Sequence, residues 1–329
     1  MKKVPQEILN QFIRVYTDES LNLIPIGGGE ESSDGIVYQF TGTQTTQLIK
    51  ILFFEEKDYE QALQVLSARI NFMDFLYQSG VPVVRLIPSR KANIIEVFQS
   101  NEGIWAAYAM EKVEGQAPAP NALAPELIRN WGHAVGKLHR ATQNYPTWQG
   151  ITDKTTGKQH LTWEEEWQHF FDICEEQDIR EQWVNIRVIL GTYPIQRDCF
   201  GFIHNDPHLW NLFVHQNQVT ILDFDVANHH WFANDIAIAC QHVLFMQSGG
   251  LSQPIKDRDC LFNFLQIFLD GYRKEMYFNQ DWLLRLDTFI AYRRILLYLV
   301  MPGWRHSDPS LQESWKTMIV TAPAIFSEQ

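Results

Sequence analysis

His204-Asn205-Asp206-Pro207-His208-Leu209-Trp210-Asn211 has the form H-x-D-x-x-x-x-N, and its surroundings give that form its meaning. The residues that follow read as a short β pair, Asn211 to His215 and Gln218 to Asp223, turned at Gln216-Asn217. A hairpin returns the chain to where it started. It therefore delivers Leu222-Asp223-Phe224-Asp225 beside the octet and sets three oxygen-bearing side chains, Asp206, Asn211 and Asp223, around one loop.

Phosphoryl transfer from ATP needs few parts. A carboxylate orients and deprotonates the attacking hydroxyl, oxygen ligands hold Mg²⁺, a cation meets the phosphates, and backbone amides cover them. Asp206 fits the base, and Asn211 and Asp223 fit the Mg²⁺ ligands. Two other readings of the octet stand beside this one. Asp, Pro and Asn favour turns in any protein, and His204, Asp206 and His208 could form a zinc hydrolase site.

The totals narrow the classes. The chain has 329 residues, 45% hydrophobic and 20% charged, which suits a globular protein of two lobes or domains. Its formal net charge of −12 disfavours a nucleic-acid partner, because a polyphosphate backbone is repelled. The longest apolar run, Ile295 to Met301, falls well short of the ~20 residues a bilayer requires. Nothing in Met1 to Glu7 resembles a secretion signal, and the four cysteines are widely spaced with no C-x-x-C pair. A reducing cytoplasmic setting and no membrane partner are expected.

The first third reads mostly as strand, with Gly35 to Phe40, Gln47 to Phe54, Ile94 to Phe98 and Trp105 to Val113. A helix interrupts it from Tyr59 to Tyr77, with apolar residues at helical spacing and a stop at Ser79-Gly80. Glu114-Gly115-Gln116-Ala117-Pro118-Ala119-Pro120 reads as a linker. Beyond it, helices are expected over Pro125 to Thr142, Thr162 to Val188, Asp235 to Phe245, Arg258 to Arg273 and Trp282 to Leu299. The fold class is thus α+β and bilobal. It has a small antiparallel-sheet N-lobe with one helix (1–113), a hinge (114–120) and a larger, mainly helical C-lobe (121–329).

The octet, Leu222-Asp223-Phe224-Asp225, Trp231 to Ala237 and the Leu138-His139 helix together resemble the aminoglycoside phosphotransferase and choline kinase family, relatives of protein kinases. The likeness covers nearly the whole chain, and lies nearest the homoserine kinase-like and stress-response members. It implies a protein-kinase-like fold, an N-lobe that binds nucleotide and a C-lobe that carries catalysis. Lys50 is similar to the strand lysine on the α/β-phosphates, and Gly27 to Gly35 to the loop over the nucleotide, with Gly28, Gly29 and Ser33 as its close-approach residues. Met110 to Gly115 resembles the hinge, where the backbones of Glu111 and Val113 would meet adenine and Met110 would back the pocket. One position departs from the family pattern. The helix glutamate that usually pairs with the strand lysine falls on Arg69.

Only about a dozen residues separate Asp223 from Asp235, too few for a peptide-docking segment, and Asn205 stands where protein kinases carry arginine. Asp235 reads as the next helix N-cap and as a buttress for the loop. A small alcohol, with or without an amine, either metabolite or antibiotic, is the expected acceptor. A Ser/Thr protein kinase and a nucleotide-binding regulator without turnover are the alternatives. The acids Glu164, Glu165, Glu166, Glu175, Glu176 and Asp178, with Trp163 and Trp167, suit either a cation cage or a solvated helix face. Trp231, Tyr292 and Trp304 read as core more readily than as a cage, and Arg293-Arg294 as surface ion pairing more readily than as a carboxylate site.

Overall fold

The computed structural model describes residues 3–17, 23–28, 35–41, 46–119, 123–145, 161–248, 257–301, 303 and 308–326. The chain divides into two units, Met1–Glu114 and a second that begins at Gly115.

Apolar and β-branched residues at alternate positions build the first unit's sheet. Its strands are β1 (Ile24–Gly28), β2 (Ile36–Thr41), β3 (Thr46–Phe54), β4 (Leu86–Ile87), β5 (Ile95–Ser100) and β6 (Gly103–Glu111). They run β1-β2-β3-β6-β4, with β5 on the other half of β6, and every pairing is antiparallel. The antiparallel sheet is as the sequence predicts, and β1 and β4 lengthen it.

A helix the sequence reading passes over, α1 (Gln6–Tyr16), covers one face. Its Ile8, Leu9 and Phe12 recur at helical spacing and pack with Ile36, Phe40, Ile49, Ile51 and Trp105. Burying Phe12 completely is worth roughly 1.5–3 kcal/mol. Side chains alternate along a strand, so Lys50 points to the face opposite Ile49 and Ile51. The second helix, α2 (Tyr59–Gln78), ends where Gly80 takes φ 75 and Val81 donates its amide to the Leu76 carbonyl (3.0 Å).

The second unit is mainly helical: α3 (Pro125–Thr142), α4 (Trp163–Ile173), α5 (Gln177–Leu190), α6 (Phe232–Ser248), α7 (Arg258–Tyr272), α8 (Asp281–Val300) and a final helix, Pro309–Thr321. Where the sequence suggests one helix from Thr162 to Val188, the chain breaks into α4 and α5. Cys174 and Glu176 are extended, and the Arg180 guanidinium donates to the carbonyls of Phe171 and Cys174 (2.7 Å each), satisfying the end of α4. Between α5 and α6 lie two antiparallel pairs. The hairpin β8 (Leu212–His215) and β9 (Gln218–Ile221) is the expected one, whereas β7 (Phe200–Ile203) with β10 (Asn228–Trp231) is not legible in the sequence. Among the described residues no helix is long and apolar enough to cross a membrane.

Candidate active site

Four fully buried residues of β7 carry the chain into the octet, so the loop starts from a rigid strand. His204 locks its first turn. Its Nδ1 accepts from the Asp206 amide (3.1 Å), which leaves Nε2 to donate to the Leu222 carbonyl (2.8 Å). With both nitrogens spent inside the protein, His204 is not a metal ligand. No group of three His, Cys, Asp or Glu able to hold a metal occurs among the described residues, so the zinc-hydrolase reading fails.

Asn205 sits at φ 65, a left-handed conformation that Asn tolerates better than most residues. Its buried side chain explains why this conformation persists. Nδ2 donates to Glu166 (2.8 Å) and to the Val226 carbonyl (3.1 Å), while Oδ1 accepts from Asn234 (2.7 Å). Asp235 holds the backbone on the other side, its carboxylate accepting from the amides of His204 (3.2 Å) and Asn205 (2.8 Å) and facing His139 Nε2 at 3.1 Å. The buttress expected of Asp235 is present. It is not the helix N-cap, since it lies inside the first turn of α6.

Asp206 follows, partly exposed and held on both oxygens. Arg293 of α8 donates to Oδ1; Asn211 Nδ2 (3.3 Å) and His208 Nε2 (3.4 Å) approach Oδ2. Arg293 is therefore neither a surface ion pair nor an anchor held ready for a distant carboxylate, because it donates to Asp206. Asn211 Nδ2 also donates to the Asp206 carbonyl (2.9 Å), which turns its amide oxygen away from these contacts. The Leu222 amide donates to the Asn211 carbonyl (2.8 Å), placing Asp223, at φ 65 and exposed, one residue beyond the tie. One amide oxygen and one carboxylate are hard donors of the kind Mg²⁺ takes when phosphates and water complete its shell. The residues present fit that ion.

Glu166, read from sequence as a cage acid or a solvated one, is neither. It is buried and accepts from Asn205, Asn228 (3.1 Å) and the Tyr292 hydroxyl (2.7 Å). Burial and this carboxylate raise the Tyr292 phenol well above its ordinary range, so it donates. Tyr292 and Trp231 are core, as expected, and Trp304 lies outside the described residues. A cavity of about 500 Å³, lined by Cys199, Tyr272, Phe278 and Trp282 among others, adjoins the end of β7 away from Asp206.

In the first unit, Lys50 is 6% exposed on β3, between Val37 of β2 and Tyr108 of β6. Arg69 lies within α2 beside buried Ile70. Met110 pairs with Leu48 and Leu86, and the Glu111 amide donates to the Arg85 carbonyl (2.9 Å) at the end of β6, two residues before Val113. Gly28 takes φ 72, and a Cβ there would stand 2.0 Å from the Gly35 carbonyl oxygen, so only glycine fits this strand end. Gly29 and Ser33 lie outside the described residues.

A curated relative, amicoumacin kinase of Bacillus subtilis (strain 168), is 25% identical over 236 residues, which is 71% of this chain and 68% of that protein. Among solved structures, amicoumacin kinase hAmiN in complex with AMP-PNP, Ca²⁺ and Ami superposes with a TM-score of 0.82 at 20% identity, covering 97% of this chain and 94% of that one. A microcompartment-associated aminopropanol kinase gives 0.68 at 18% identity, with 95% of each chain covered. Residues 24–277 match the model of the phosphotransferase enzyme family. The chain belongs to that family, and it is an ATP-dependent kinase acting on a hydroxyl group of a small molecule.

Proposed function

We propose that Asp206 is the catalytic base, that Asn211 and Asp223 hold Mg²⁺, and that the acceptor is an amino-bearing alcohol of the antibiotic or small-metabolite kind. The observation that carries this reading is the tie between loop and hairpin. His204 bonds to the Leu222 carbonyl and Leu222 to the Asn211 carbonyl, so one rigid unit presents the base and both metal ligands. Asp206 accepts the proton of the acceptor hydroxyl as its oxygen attacks the γ-phosphorus, and ADP leaves. Bound Mg²⁺ supplies neutralisation of the phosphate charge. Arg293 orients Asp206, and Lys50, Gly28, Gly29, Ser33, Met110, Glu111 and Val113 bind the nucleotide. The hinge follows Val113, with the nucleotide-binding lobe before it and the catalytic lobe after.

The relatives act on amicoumacin and on an aminopropanol, which supports a small acceptor, and the second of these carries both hydroxyl and amine. The four free cysteines, three of them buried, suit work in a reducing cytoplasm. The test is a panel of amicoumacin, aminopropanol, choline, homoserine, sugars and aminoglycosides with Mg²⁺-ATP, following ADP release and the phosphorylated product. Transfer to an amino-alcohol is expected. Transfer to casein-like proteins alone would overturn the reading.

A further inference from the structure

Trp210 is an unusual residue for a loop that carries a catalytic base. Trp210 is 48% exposed, although burying its indole would be favourable. It meets His242 of α6 edge-on at 4.8 Å and 83°, His208 at 5.7 Å and Phe245 at 6.1 Å. The two imidazoles share an oddity. His242 is 6% exposed, and its Nε2 and the Nδ1 of His208 are buried with no hydrogen-bond partner among the described residues. Burial keeps the His242 ring neutral, pushing it down to about 4. Native proteins seldom leave buried polar nitrogens unanswered, and such groups point to a water or a ligand. The other nitrogen of His208 is 3.4 Å from Asp206 Oδ2, so this wall begins at the base and ends at the exposed indole.

The geometry points to an acceptor subsite formed by Trp210, Phe245, His208 and His242, built for an alcohol that carries a flat ring with an uncharged hydrogen-bonding group on its edge. The ring stacks on the indole. The edge group meets the unpartnered imidazole nitrogens, and the neutral ring of His242 suits a hydroxyl or amide better than an ammonium. The reacting hydroxyl then reaches Asp206. This assignment rests on Asp206 being the base, and it goes further by saying which acceptors the site prefers.

The test compares octopamine, a hydroxyphenyl amino-alcohol, with isopropanolamine, which has the same functional groups on the chain and no ring. The native protein should favour octopamine by about tenfold or more in kcat/KM, the scale an apolar contact provides. Trp210→Ala should bring that ratio near one, and Trp210→Phe should restore most of it. His242→Leu should raise the KM for octopamine while the KM for ATP stays constant in all three variants. Equal use of both alcohols by the native protein, a ratio that survives Trp210→Ala, or no binding of octopamine at all would overturn the subsite. Slow hydrolysis of ATP by water reports on the base separately. If Asp206→Asn leaves that hydrolysis intact, the reading of Asp206 fails rather than the subsite.

Discussion

Both oxygens of the Asp206 carboxylate are engaged, by Arg293 on one and by Asn211 and His208 on the other. A planar guanidinium orients a carboxylate in a way a flexible ammonium does not. Arg293→Gln should lower kcat by about ten- to a hundredfold with a much smaller change in KM for ATP, and Arg293→Lys should recover only part of the loss, both read in steady-state assays. Asn205 offers a second check. Removing its amide leaves buried Glu166 and Asn234 each short of a partner, which costs about 1–3 kcal/mol per group. Asn205→Ala should therefore lower both the melting temperature and kcat. The octet was legible in the sequence because its members are neighbours along the chain. Arg293 and Glu166 were not, because they reach the loop across 87 and 39 residues. Their signals, a paired arginine in an apolar helix and an acid in an aromatic one, fit the surface equally well.

At the scale of elements, the second unit depends on how closely α3 and α7 approach. A Cβ on Gly132 would stand 1.9 Å from the Phe268 carbonyl oxygen, and one on Gly271 1.8 Å from that of Arg129. Each added methyl would meet backbone, which cannot swing aside. Gly132→Ala should destabilise the protein by about 1–3 kcal/mol in urea unfolding. Its neighbour Trp131 donates to the Pro207 carbonyl (3.1 Å), so the same variant should also lower turnover. Long helices with sustained periodicity, α3, α7 and α8, could be read from sequence because the pattern repeats over several turns. The α4–α5 break could not, since the apolar spacing continues through Cys174 and only Arg180, folding back onto two carbonyls, reveals the stop. Nor could β7 and β10, four residues each, whose pairing sets Ile203, the residue before His204, against Asn228 of the strand before α6. Short fully buried strands carry no alternation to detect.

For the molecule as a whole, three buried histidines make stability depend on pH. Desolvation lowers His229 to about 4, His230 to about 3 and His242 to about 4, against an ordinary value of 6.5. The unfolded chain therefore takes up protons first as pH falls below about 6.5, so the stabilisation is complete above that value and is lost progressively toward pH 3–4. Urea unfolding should show stability falling by up to about 1.4 kcal/mol per pH unit for each histidine, and His230→Gln should remove about one proton from that slope. The division into a sheet-rich unit and a helical one was legible from the change of periodicity beyond Val113. The acceptor was not, because Trp210, His242 and Phe245 come together only once α6 packs beside the loop. The most direct measurement of the central claim is Asp206→Asn assayed beside the native chain for phosphoryl transfer and for thermal stabilisation by Mg²⁺-ATP. Turnover should fall by about 10²–10⁴-fold while nucleotide still raises the melting temperature of both proteins. Turnover within a few-fold of native in that variant, or no stabilisation of the native chain by Mg²⁺-ATP, would contradict it.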